Sequence, residues 1–166
     1  MVKRTTITAF LVLCLALSVF AKKPVNFSGS WELDRVASML GDAGLWLEEI
    51  KVTQTKDSLL TYRTYQTNSY EEYPFTENLT LDGKEYEITI YEMPRKTLAT
   101  VSDDKKNLVI KSQVTFWGDN GEVTIPSTET WSLQEKGKVL AIEYKSVGQD
   151  GEYTSQMVYK KVKKEK

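Results

Sequence analysis

Glu129 stands two residues before Trp131 in the alternating stretch Val123–Leu133, so both side chains fall on one face of a strand. A carboxylate on an inward face is costly unless it is paired. Three readings follow. Glu129 contacts a ligand or acts as an acid of raised pKa, or it sits at a rim, or it pairs with an inward cation such as Arg63. Register decides between them, since a slip of one residue moves Glu129 outside. The adjacent carboxylates Glu48-Glu49, Glu71-Glu72 and Asp103-Asp104 point to opposite faces of a strand, so they supply no catalytic pair for glycoside hydrolysis. Asp119, Asn120 and Glu122 around Gly118 and Gly121 lack the ligand repeat of a calcium loop and read as a hairpin turn. The chain has no histidine, and its one cysteine, Cys14, lies near the start. Imidazole bases, Ser-His-Asp and Cys-His nucleophiles and His-ligated metals are therefore excluded. The expectation is no enzyme, no metal and no cofactor, since acid–base work would fall to carboxylates and tyrosines alone.

Four tryptophans, Trp31, Trp46, Trp117 and Trp131, stand beside nine tyrosines. Such residues offer a ligand large contact area with a polar handle. They also fill the middle of any small barrel. Tyr62, Tyr86, Ser112, Phe116, Glu129, Trp131 and Tyr159 are the candidate ligand-wall residues, and Trp31 reads as a structural plug.

These residues must be held by strands. After Leu45 the sequence alternates with period two, and turn signals arrive roughly every ten residues, the spacing of an all-β sandwich or barrel. The expected strands are Phe27–Leu33, Leu47–Thr55, Leu59–Gln66, Phe75–Leu81, Tyr86–Tyr91, Thr97–Val101, Leu108–Phe116, Val123–Leu133, Val139–Ser146 and Tyr153–Val162. Asp82-Gly83, Gly118-Asp119-Asn120-Gly121, Lys136-Gly137 and Asp150-Gly151 supply hairpin chemistry. Short loops make successive strands antiparallel neighbours. A single antiparallel up-and-down barrel of eight to ten strands then removes exposed edges by closing. Between Leu33 and Leu45, Asp34 caps a single helical turn ended by Gly41, or the segment is a plain loop.

Residues 1–21 read as a cleavable signal peptide: Lys3 and Arg4, an apolar run Ile7–Phe20, then Val19-Phe20-Ala21 before the cut. The run is about fifteen residues, short of the roughly 20 that span a membrane. The expectation is a secreted or periplasmic protein whose single domain is 22–166, with no transmembrane span in it. Of 22 Lys+Arg, Lys3 and Arg4 leave with the leader, against 23 Asp+Glu that stay. The mildly acidic remainder argues against nucleic acid as a partner. The Lys-rich end, Lys160 to Lys166, reads as a solvated edge. The sequons Asn26-Phe27-Ser28 and Asn78-Leu79-Thr80 matter only in a eukaryotic secretory pathway.

Phe27-x-Gly29-x-Trp31-x-Leu33 resembles the opening of the calycin superfamily, the lipocalins and fatty-acid-binding proteins, in which the Trp plugs one end of the barrel. Leu81-Asp82-Gly83-Lys84, Glu129-Thr130-Trp131-Ser132-Leu133, Gly137-Lys138-Val139-Leu140, Gly151-Glu152 and Val158-Tyr159-Lys160-Lys161 follow in the order seen in secreted bacterial lipocalin-like proteins. The resemblance implies that the last strand pairs back with the first. It departs at Met157-x-Tyr159, where fatty-acid-binding proteins carry Arg-x-Tyr for the ligand carboxylate. Asp34–Gly44 is also too short for their two-helix lid. The leading expectation is a non-catalytic binding protein holding a small apolar or amphipathic ligand inside the barrel. The alternative is a packed barrel that binds a protein or cell-envelope component through its outer surface. With Trp31 as plug, a pocket would open at the opposite end.

Overall fold

The computed structural model describes residues 24–41, 44–118, 121–149 and 151–162. The leader-like residues 1–21, Cys14, Asp119, Asn120, Asp150 and the last four residues lie outside these. Ten antiparallel strands form one sheet: β1 (Gly29–Leu33), β2 (Leu45–Gln54), β3 (Ser58–Thr67), β4 (Glu72–Thr80), β5 (Tyr86–Ile90), β6 (Met93–Val101), β7 (Asn107–Gly118), β8 (Gly121–Gln134), β9 (Val139–Gly148) and β10 (Gly151–Lys161). Their hydrogen-bonded order is β4-β3-β2-β1-β10-β9-β8-β7-β6-β5. The first and last strands meet, with Trp31 opposite Lys161 and Leu33 opposite Tyr159. The result is an up-and-down, nearly closed barrel. Its one helical piece among the described residues is a 3₁₀ turn at Glu135–Gly137. No helix of the described residues is long and apolar enough to cross a membrane.

Alternation explains the strands. In β7, Leu108, Ile110 and Ser112 are buried, while Lys111 and Gln113 face water. In β8, Glu129 and Trp131 are buried and register with Ile110 and Leu108. The inward faces meet in a core led by Trp31, Trp131, Phe27, Tyr159, Leu47 and Ile50. Fully burying each large apolar side chain contributes on the order of 1.5–3 kcal/mol.

Closure is incomplete, contrary to expectation. No ladder joins β4 to β5, so both remain edges. The cause lies in the Asp82-Gly83 turn, which forms no hairpin. Asp82 bridges Thr100, and Gly83 donates its N–H to the Ala99 carbonyl at 3.0 Å. The connection is therefore held against β6 and cannot pair β4 with β5. Side chains span the gap instead. Tyr91 donates its hydroxyl to the Pro74 carbonyl at 2.6 Å, and the Thr80 and Tyr86 hydroxyls lie 3.2 Å apart.

The segment after β1 is a turn, not a helix. Asp34 Oδ1 accepts from the N–H groups of Val36 and Ala37 at 3.2 Å each. The chain then runs beside β10, where Met39 and Gln156 exchange backbone hydrogen bonds of 2.8 and 2.9 Å.

Candidate functional site

One end of the barrel is sealed. Residues 25–28 lie across it, pinned by Val25 N–H to the Lys105 carbonyl and by Phe27 N–H to Gln54 Oε1, both 2.9 Å. Trp31 donates Nε1–H to the Phe27 carbonyl at 2.9 Å, and the Phe27 ring meets Trp131 edge-on, centroids 5.9 Å apart. Trp31 is thus fully buried against the chain just before it.

Above this layer lies a buried charge network drawn from four strands. Arg63 on β3 is fully buried and donates Nη1–H to Glu129 Oε1 of β8 at 2.7 Å. Its Nε lies 3.5 Å from Glu77 Oε2 of β4. Arg95 on β6 grips the same Glu77 from the other side, Nε to Oε1 at 2.7 Å. Glu129 Oε2 accepts from Trp131 Nε1–H at 2.8 Å. Rings back the guanidinium carbons: Trp131 is 5.4 Å from that of Arg63, and Phe75 is 5.9 Å from both. Burial pushes the Glu129 carboxyl up, but the Arg63 charge and hydrogen bond outweigh it and hold the group below its ordinary range. Burial likewise pulls Arg63 down, and the Glu129 and Glu77 charges more than reverse this. Burial, then the Glu129 charge, pushes the Tyr65 hydroxyl up to about 12. Glu129 is therefore a fixed carboxylate in an ion pair with Arg63, not an acid of raised pKa.

Over the network opens a cavity of about 580 Å³. Its walls are mostly apolar: Leu45, Phe75, Ile90, Met93, Val114, Phe116 and Ile125. Tyr65, Tyr73, Tyr91, Tyr144, Thr67 and Ser127 add hydroxyls, and Arg95 and Glu129 belong to its floor. These come from one end of the strands, the end opposite Trp31. The size and the lining are those of a small-molecule site.

Of the candidate wall residues, Phe116 and Glu129 line this cavity. Trp131 and Tyr159 are buried beside the network, where Tyr159 donates its hydroxyl to the Leu47 carbonyl at 2.9 Å. Ser112 is buried and shares a 3.1 Å hydrogen bond with Thr97. Tyr86 sits half-buried on the β5 edge beside Lys84. Tyr62 lies outside: it is 40% exposed, next to Lys51, because Thr61, Arg63 and Tyr65 take the inward positions of β3. The sequence reading also missed Arg95 and Glu77. Continuing the alternation of Thr97 and Ala99 back through Arg95, and of Leu79 back through Glu77 and Phe75, finds both.

No family model matches the chain, and no curated protein matches it. Among solved structures it is similar to zebrafish ileal bile acid-binding protein complexed with cholic acid, at 16% identity over 82% of this chain and 98% of that one, with a TM-score of 0.48. The fold assignment rests on the strand order and register themselves.

Proposed function

We propose that the protein is a non-catalytic carrier that takes a small apolar or amphipathic molecule into the barrel from the end opposite Trp31. The observation that carries this is the cavity of about 580 Å³ above a polar floor. Burial of apolar ligand surface drives binding, and the floor and the wall hydroxyls orient the polar end. The leader-like residues 1–21 support export, so the proposed place of action is the periplasm or the exterior. N-terminal sequencing of the protein recovered outside the cytoplasm tests that part.

Nile red, a neutral apolar dye, tests the carrier. Saturable one-to-one binding is expected. Ile125→Glu puts a charge on the wall and is expected to weaken binding at least tenfold while leaving thermal unfolding within a few degrees. Absence of saturable binding by the dye and by a panel of lipids would sink the proposal.

One observation favours the second reading, an interaction module working through its outer surface. Trp117, 81% exposed, projects from the end of β7. Trp117→Ala separates the readings: a carrier keeps its dye affinity, and an interaction module loses its protein or envelope partner.

A further inference from the structure

The floor of the cavity is charge-balanced. Two cations, Arg63 and Arg95, face two carboxylates, Glu77 and Glu129, and no other Lys, Arg, Asp or Glu is buried among the described residues. Each carboxylate oxygen is engaged. Glu129 Oε1 is held by Arg63 and Oε2 by Trp131, while Glu77 Oε1 is held by Arg95 and Oε2 lies 3.5 Å from both arginines. An anionic ligand finds no free cation here, and a cationic one finds no free carboxylate. Either would bury an uncompensated charge, which is far costlier than burying a hydrogen-bonded neutral group. What remains is donor capacity: Arg95 lines the cavity, and beneath it Nη2 of Arg63 is buried with no acceptor among the described residues. Tyrosines also surround the site: Tyr73, Tyr91 and Tyr144 line the cavity with Tyr65, and burial pushes the Tyr65 and Tyr159 hydroxyls up and keeps them neutral.

We infer that the cavity selects an uncharged amphiphile, with an alcohol, ester or amide oxygen at its polar end, over the carboxylate of the same chain length. The inference rests on the carrier reading above and names the ligand class of that site. A neutral oxygen accepts from the floor without disturbing its balance. A carboxylate enters only after taking up a proton.

Calorimetric titration of the purified protein with 1-decanol and with decanoate tests this. At pH 8 the alcohol is expected to bind at least tenfold more tightly. At pH 5, near the ordinary range of a carboxylic acid, the gap narrows as the acid becomes neutral, while Glu129 stays ionised. Glu129→Gln leaves Arg63 with excess positive charge and is expected to move the preference at least tenfold toward decanoate. Decanoate binding as tightly as decanol at pH 8 overturns the inference and leaves the carrier intact. So does a folded Glu129→Gln protein whose preference is unchanged. Binding of neither compound overturns the carrier reading and this inference with it. If the variant does not fold, the wild-type pair at pH 8 decides.

Discussion

At Arg63 a fully buried cation meets two carboxylates, and each partner is tolerable only because the others are there. Removing one side of such a pair strands the other. Arg63→Met is expected to destabilise the fold by about 3–5 kcal/mol, mostly through the orphaned Glu129, whereas Arg63→Met with Glu129→Gln costs clearly less. Urea unfolding of the two variants measures the difference, and equal losses would refute the coupling. Glu129 also sets an acid limit. Its folded pKa lies below the ordinary 4.5, so its contribution is complete above that value and is lost as pH falls through the folded one. The wild-type urea midpoint should therefore drop below about pH 4.5 more steeply than that of Glu129→Gln. The pair was legible as one of three readings, because alternation put Glu129 inward. Its partner's full setting was not, since Arg63 and Glu77 meet only through the β3–β4 register.

Strand β1 is short, and it holds both the buried Trp31 and the seam with β10. Gly29 opens it at φ 148°, where a side chain is strained, and an added Cβ would lie 2.7 Å from Lys161 Cε. The lysine can swing away, but the backbone strain stays. Gly29→Ala is expected to cost about 1–3 kcal/mol, read as a lower urea midpoint; an unchanged midpoint would show that β1 adjusts freely. Strand positions were the most legible part of this chain because period-two patterning and Gly turns mark them locally. Less legible was the start of β6. Met93–Lys96 carries Pro94 on one side and Arg95 on the other, which hides the alternation that continues from Thr97. The missing β4–β5 ladder was invisible for a different reason. Asp82-Gly83 has the composition of a hairpin turn, and only its attachment to Ala99 and Thr100 redirects it.

Taken whole, the interior is divided. The half around Trp31, Phe27 and Trp131 is packed, the half toward Phe116 and Ile125 is hollow, and the charge network lies at the boundary. A packed half gives the open half a stiff base, because interiors packed at crystal density have low compressibility. The pairing of Trp31 with Lys161 has a kinetic consequence. Every other ladder joins neighbours in sequence, and this one joins the two ends of the domain. Loop-closure entropy makes such a contact slow to form, so the β1–β10 zipper should close late and limit refolding. A circular permutant that links the old ends and opens the chain at Gly83 turns that long-range pairing into a local one. Stopped-flow refolding should then be faster than for the parent, with an unchanged rate placing the barrier elsewhere. The break in the sheet and the break in the chain fall on opposite sides of the barrel, so cutting at Gly83 would bring them together without costing a single ladder.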